Sequence, residues 1–547
     1  MSPRSIILAV GLLAGLFVSA QNSPSTYWVK LKDKNGTAFQ INHPEAFLTP
    51  RSINRRLKQQ IPIDETDLPV SGVYLDSLQK LGLKLVHTSK WLNGVTATTS
   101  DTLLLKTVSA LSFVEKVELT KPATLTKSAR SKFIEPEENP AIPPANYGNA
   151  YDQIVQLNGQ YLHNKGFRGK GIQIAVLDAG FWHVNTIPAF DSLRNSNRIL
   201  GTRDFVDPTS DIYLQNSHGM SVLSTMGGNL PGTLVGTSPD ASFYLFRSED
   251  DNSEYPIEED NWVAAAELAD SLGVDVINSS LGYNEFNDPK MSHTYSDMNG
   301  KTTRVTQGAN MAFQKGILVF TSAGNEGNNA WKHIIAPSDG ENVIGVGAVD
   351  KNGVRAGFSS VGPAYGGAVK PNVVALGWNT YLVTGTGVIG YSSGTSFSSP
   401  VLAGMGACLL QANPLANIKQ VKMAIEQSAS QYNKPDSLLG YGIPDFQKAD
   451  QILKSTSVKT LETASSWVVS PNPFSDYILI RNLNPDINMN CLFSIFNMQG
   501  VCLWQSTSST SEFVYLKNLT DLPDGFLVLT IRSEEKEERF KLIKVSL

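Results

Sequence analysis

Short, densely apolar runs alternate with longer amphipathic ones through the middle of this chain. The runs at 172–177, 241–246, 274–279, 317–321 and 343–349 are rich in Val, Ile, Leu and Phe and read as buried strands. The stretches 218–226, 261–272 and 304–315 carry apolar residues at helical spacing. Strand followed by helix, repeated, predicts an α/β fold with a doubly wound, mostly parallel sheet. The flanks read differently. Before 120, strands at 26–31, 84–90, 94–99 and 113–119, a turn at Asn35-Gly36 and helices at 50–60, 75–81 and 101–110 make a small α+β unit. Beyond 467, short alternating strands at 477–481, 491–496, 501–505, 526–532 and 540–545 predict a small all-β sandwich.

The polar, Pro-rich stretch 121–144 reads as an exposed, cleavable tail, and the Ser/Thr-rich stretch 455–466 as a linker. Residues 1–20 have a basic start, an apolar core at 6–18 and a small-x-small end at Val18-Ser19-Ala20, the pattern of a secretory signal peptide. No other run approaches membrane length. The chain thus divides into 1–20, a signal peptide, 21–145, 146–454, the linker 455–466, and 467–547.

Composition narrows the classes. With 547 residues, 41% hydrophobic and 17% charged, the chain is ordinary globular protein rather than disordered. A net charge of −5, spread along the chain, gives no basic footprint for nucleic acid. There are three cysteines. Cys408 falls in an apolar helix and reads as an inert core thiol. Cys491 and Cys502 flank a hairpin whose turn is placed at Met498-Gln499, so Cys491 would face Ser506, Cys502 would face Ile495, and no direct bridge is expected. No His/Cys spacing suggests zinc.

Three stretches carry chemistry. Asp178 closes the apolar run 172–177, at the strand end where open α/β sheets build their sites. His218 stands at the mouth of a small-residue helix. Ser396 lies in a Gly/Ser-rich turn, 390–400, that opens onto the apolar helix 401–410, where unpaired N–H groups and the helix dipole face a developing anion. Pro400 is placed in the first turn, where its missing N–H does little harm. Each alone has a bland reading as cap, turn or core residue. In the chain order Asp, His, Ser, they form the set that a base-assisted serine nucleophile requires.

At this point the chain resembles the subtilisin-like serine proteases. Gly394-Thr395-Ser396 followed by Ser399-Pro400 matches the family's serine motif, His218-Gly219 its histidine motif with Met220 in place of Thr, and Asp178-Ala179-Gly180 its aspartate motif with Ala179 in place of a hydroxyl residue. Ser322-Ala323-Gly324-Asn325 resembles its oxyanion segment. The resemblance runs from about 147 to 454.

It implies a secreted serine endopeptidase working through an acyl-enzyme, with Asp178, His218 and Ser396 catalytic and Asn325 donating to the oxyanion. Ser280, Leu281 and Gly282 together with Ser322, Ala323 and Gly324 would wall the pocket for the residue before the scissile bond. Glu326 matches a non-catalytic position and reads as loop structure. Residues 21–145 resemble an inhibitory propeptide, so its partners would be peptide substrates and its own N-terminal unit; an independent binding domain is the alternative reading of that unit. Pro471-Asn472-Pro473-Phe474 and the ending 541–545 resemble C-terminal sorting domains of the type IX secretion machinery, which implies export across the inner membrane by the signal peptide and across the outer membrane by that system, to the cell surface or medium. A carbohydrate-binding or adhesion sandwich is the alternative. No cofactor is required; relatives often bind structural calcium, but no ligand set is assignable.

A catalytically silent scaffold and an esterase on another α/β fold remain as competing functions; the esterase would need a Ser-Asp-His order that is absent here. The acidic stretch 248–260, with six carboxylates before Asp260, reads first as a solvated loop and second as a surface favouring Lys or Arg upstream of the cut. The run 533–539 reads as a solvated hairpin tip.

Overall fold

A computed structural model describes residues 24–124, 147–461, 467–483, 490–509, 513–533 and 537–545. The signal-peptide reading, most of the cleavable tail, the end of the linker and the tip of the last hairpin lie outside these residues.

The central unit is a seven-stranded parallel sheet, as the alternating pattern predicts. Its strands are β5 (Gln173–Asp178), β6 (Ile199–Asp204), β7 (Ser242–Arg247), β8 (Val276–Ser279), β9 (Leu318–Ser322), β10 (Ile344–Val349) and β11 (Val373–Leu376), in the order β11-β10-β9-β8-β5-β7-β6. Strands β8, β9 and β10 are buried at every position, which is why they read as continuous apolar runs. Helices α4 (His218–Gly227), α5 (Ile257–Leu272), α6 (Arg304–Gln314), α7 (Thr395–Ala412), α8 (Ile418–Ser428) and α9 (Phe446–Leu461) complete the unit. Helix α5 starts at Ile257, not 261, and α9 continues to Leu461, through most of the stretch read as linker. The sequence reading did not include β6, β11 or the two strands of the hairpin, β12 (Thr380–Val383) and β13 (Ile389–Ser392), which delivers the chain to α7.

The N-terminal unit is a four-stranded antiparallel sheet, ordered β2-β3-β1-β4, from β1 (Ser25–Leu31), β2 (Lys84–Ser89), β3 (Gly94–Thr99) and β4 (Val114–Lys121). Helices α1 (Pro50–Gln59), α2 (Gly72–Lys80) and α3 (Leu104–Ser109) accompany it. Its sheet lies on α5 and α6. Glu267 of α5 accepts from Ser89 Oγ, Lys90 N at 2.8 Å and Trp91 N at 3.0 Å. Asp260 accepts from Thr96 Oγ1 at 3.2 Å and from Arg304 Nε at 2.6 Å.

Helix α1 makes a second, separate grip. Arg51 donates to Gly171 O and Gly273 O, Arg55 to Val274 O and Lys315 O, and Gln59 to Gly316 O. These carbonyls lie two or three residues ahead of β5, β8 and β9, so α1 caps the amino ends of three central strands. Gly273 permits this approach: it ends α5 at φ +85°, and a Cβ there would lie 2.7 Å from Ser52 N. Behind the cap, Asp270 is fully buried and faces Arg55, Arg56 (2.8 Å) and Lys90 (2.8 Å); Asp67 pairs with Arg56 and Lys315. The three cations outweigh burial and hold the Asp270 carboxyl well below its usual range.

Past 467 the chain forms two antiparallel sheets. One is ordered β14-β15-β18, from β14 (Trp467–Ser470), β15 (Ile478–Asn482) and β18 (Phe513–Leu516); the other is ordered β17-β16-β19-β20, from β16 (Asn490–Asn497), β17 (Cys502–Ser509), β19 (Gly525–Arg532) and β20 (Glu537–Lys544). Both contribute to one core, including Trp467, Ile480, Phe493, Val514 and Leu529, as a sandwich requires. The cysteine register differs from the sequence reading. Cys491 faces Ser508 and Cys502 faces Phe496, because the turn runs from Asn497 to Val501 and a register shift follows Ile495. All three cysteines are free thiols.

Candidate active site

From Ile174 onward strand β5 is buried, and apolar up to its last residue, so the chain delivers a carboxylate to the sheet's carboxyl edge with no exposure. Asp178 Oδ1 accepts from Ala179 N at 2.8 Å and lies 2.7 Å from His218 Nδ1. Facing a carboxylate, Nδ1 is the protonated nitrogen, so Nε2 is the ring atom left for proton exchange. Asp178 Oδ2 is buried without a hydrogen-bond partner among the described residues, and the residue that follows is alanine rather than a hydroxyl donor.

His218 opens α4, and its N–H donates to Asn216 Oδ1 at 2.8 Å; Asn216 Nδ2 donates in turn to Asp251 at 3.0 Å. Gly219 is required beside it, since a Cβ there would sit 2.4 Å from Gly180 O and 2.7 Å from Asp178 Cβ. Arg247, next to Asp178 in the sheet register, donates Nε to Ala179 O at 3.0 Å while paired with Asp204 at 3.0 Å. That buried guanidinium fixes the turn after Asp178, and the sequence offered no signal for it.

Ser396 is the second residue of α7 and is 7% exposed. Its Oγ donates to Ser280 O at 3.3 Å, and Ser280 Oγ donates to Ser396 O at 2.7 Å. The neighbouring Phe397 ring lies 5.8 Å from the His218 ring. Pro400 falls in the second turn of α7, not the first, because the helix starts at Thr395. Its missing N–H would have bonded Ser396 O, and the Ser280 hydroxyl supplies that donor instead.

Asn325 follows β9. Its Oδ1 accepts from Thr395 N and Thr395 Oγ1, both at 2.9 Å, which fixes the amide orientation. Nδ2 is thereby turned to the Gly394–Ser396 corner; a Cβ on Gly394 would lie 3.7 Å from it. A hydroxyl at a helix N-terminus, an imidazole tied to a buried carboxylate and an oriented amide donor together can perform base-assisted acyl transfer. The subtilase family model matches residues 169–442, just over half of the chain.

The chain belongs to the subtilase family.

A second model, the peptidase S8 propeptide domain of Bacteroidota, matches residues 26–135 of this subtilase, so the N-terminal unit is a propeptide region. Subtilisin DY of Bacillus licheniformis is 30% identical over 302 residues, 54% of this chain and 97% of that protein. The thermostable alkaline protease of Halalkalibacterium halodurans is 30% identical, covering 54% and 73% respectively. Subtilisin E of Bacillus subtilis is 29% identical over 54% and 70%. The chain is a subtilisin-like serine protease, a hydrolase. Among the described residues no helix is long and apolar enough to cross a membrane.

The six residues read as pocket walls come together. Ser322 Oγ donates to Leu281 O at 3.4 Å, which ties the two walls at one end. Between them stands Ile335, which sequence reasoning missed. Glu326 holds its own loop, accepting from Asn329 Nδ2 while its N–H donates to Ser360 Oγ. Cys408 is buried, donates to Thr237 O at 3.2 Å, and burial pushes its thiol far up, as expected of an inert core group.

The acidic stretch is exposed only at its tip, Asp251-Asn252, and is otherwise not a solvated loop. Glu249, Glu258, Glu259 and Asp260 are all nearly inaccessible, covered by Tyr283, His293, Arg304 and the propeptide sheet. Glu249, Glu254 and Glu258 bring carboxylate oxygens within 4.8 Å of one another. Three carboxylates fit a cation by charge, but calcium asks for six to eight oxygens, and one of these already accepts from Tyr283 OH at 2.9 Å. Asp250, in the same loop, pairs with propeptide Lys121 at 3.2 Å.

Proposed function

We propose that this subtilase is an exported serine endopeptidase whose acyl-enzyme forms on Ser396. His218 takes the Ser396 proton through Nε2 and returns it to the leaving amine. Asp178 holds the imidazole tautomer and stabilises its charged form, and Asn325 Nδ2 donates to the oxyanion beside the N-terminus of α7. The observation that carries this reading is the buried Asp178–His218 hydrogen bond of 2.7 Å, which dedicates Nδ1 and leaves Nε2 for chemistry. No step is routed through the carboxylate cluster at Glu249.

The N-terminal unit then acts as an intramolecular inhibitor and folding template, and a cut within 121–144 releases the site. The signal-peptide pattern at 1–20 and the C-terminal sandwich, read as a type IX sorting domain, support delivery across both membranes to the surface or medium. A fluorophosphonate probe tests the chemistry. Covalent label on Ser396, lost in Ser396→Ala, is the expected result; an unlabelled wild type that has cut its own propeptide away would refute it.

A further inference from the structure

We propose that Ile335 plugs the slot between the two pocket walls, so that this subtilase cuts after small residues and discriminates against aromatic and long aliphatic ones. The inference rests on the peptidase reading above and specifies its substrate class.

The slot is bounded by Gly282 on one side and Gly324 on the other, two positions where the absence of a side chain would ordinarily leave room for a flat or bulky group. That room is taken. A Cβ built on Gly282 would lie 2.2 Å from Ile335 Cδ1 and 2.5 Å from Cγ1, and one built on Gly324 would lie 3.0 Å from each of the same two atoms. The isoleucine therefore touches both glycine backbones at once. It is only 7% exposed, so it is packed into the slot and does not hang over it.

The side chain is also held there. Ile335 N donates to Ala323 O at 3.2 Å, and its carbonyl accepts from Ser338 N at 2.9 Å. On either side, Ile334 N donates to Val361 O at 3.0 Å, while Ala336 and Tyr283 exchange N–H···O bonds of 3.3 and 2.8 Å. The backbone of 334–336 is thus stitched to both walls. A β-branched side chain on a fixed backbone has restricted χ1, which opposes rotation out of the slot.

The slot belongs to the reacting centre. Ser280, first residue of one wall, exchanges hydrogen bonds with Ser396, and Gly324 of the other donates its N–H to Thr395 Oγ1 at 3.3 Å. A substrate side chain next to the carbonyl under attack is therefore aimed between these glycines. A methyl or hydroxymethyl group fits above Ile335. A phenyl or isobutyl group meets its methyls and must displace a tied segment.

The experiment is a peptide series differing only in the residue before the scissile bond, given to the full chain after its own processing, with fluorophosphonate labelling in parallel. Ala or Ser should exceed Phe and Leu in kcat/KM by at least ~10-fold, within the roughly 10–200-fold that small steric differences in an apolar pocket command. Ile335→Gly should raise kcat/KM for Phe by about 10-fold or more and reverse the order; Ile335→Val should move the ratio part of the way. General destabilisation would lower all substrates together, so the ratio is the diagnostic readout. A labelled wild type that takes Phe or Leu as well as Ala overturns the plug while leaving the peptidase intact. An unmoved ratio in both variants does the same. Absence of label and of any hydrolysis would overturn the peptidase reading itself.

Discussion

Ser280 and Ser396 exchange hydrogen bonds across the gap between β8 and α7: the Ser280 hydroxyl donates to the Ser396 carbonyl at 2.7 Å, and the Ser396 hydroxyl donates to the Ser280 carbonyl at 3.3 Å. The first bond replaces the N–H that Pro400 lacks, and the second holds the Ser396 hydroxyl against β8. Ser280→Ala should therefore leave a buried carbonyl without a donor. The expected cost is about 1–3 kcal/mol of stability, read as a lower Tm, with a reduced kcat; an unchanged Tm would count against the replacement.

Asn325→Ala should lower kcat by about 10²–10³, the range known for losing the same kind of donor in a subtilisin, with little change in KM. The side chain also ties Thr395, so Asn325→Asp is the companion variant: it retains the acceptor for Thr395 but removes the Nδ2 donor. Steady-state kinetics on one peptide would show both variants equally slow if donation is the function, and the aspartate variant recovered if Thr395 anchoring is.

Burial raises the Asp260 carboxyl to about 6, with Arg304 opposing and Glu259 adding to the rise. A carboxyl raised in the folded state binds its proton more tightly there than in the unfolded chain. Its contribution therefore favours folding at low pH and is lost as pH climbs from about 4 to about 6. For a group this inaccessible the swing is on the order of 2–3 kcal/mol. Comparing Ser396→Ala with and without Asp260→Asn, by thermal unfolding from pH 4 to pH 8, should show the difference between them changing across that window and flat above it.

Arg56 is almost wholly buried between Asp67 and Asp270. Arg56→Met should leave two buried carboxylates short of a partner, at a cost of about 3–5 kcal/mol. The expected outcome is a sharp fall in refolding yield of the full chain, measured by recovered fluorophosphonate label. Yield equal to wild type would show that the buried Arg56 pairs are dispensable for folding.

Deleting 467–547 should leave the peptidase folded, because the C-terminal sheets enclose their own core. Under the sorting assignment the truncated protein stays in the periplasm. Fractionation of cells expressing it would decide: normal surface delivery sinks the assignment.

The central sheet was legible because its strands are buried on both faces, and uniform burial leaves an uninterrupted apolar run. Strand β6 was not, since the half-exposed Ile199–Asp204 lies at the sheet edge and carries a mixed pattern. The turn motifs brought Asp178, His218, Ser396 and Asn325 to notice because short-range chemistry selects their neighbours. Ile335 and Arg247 act through contacts with segments remote in sequence, and nothing local distinguishes them. The burial of Glu258, Glu259 and Asp260 was hidden for the same reason: most of what covers them comes from β3, Tyr283, His293 and α6, all distant along the chain.

Helix α1 holds the amino ends of β5, β8 and β9, while the candidate chemistry sits at the opposite, carboxyl ends of the same strands. The N-terminal unit is thus a jig clamped to one pole of the barrel-free sheet and, by way of β4 and Lys121, a stopper reaching toward the other. A single cut within 121–144 would free the chain beyond β4 while α1 and the four-stranded sheet, β4 included, stay clamped in place. Activation and shedding then become two separate events with two separate rates, and a cleaved but still two-piece enzyme is the species to look for on the way to the finished one.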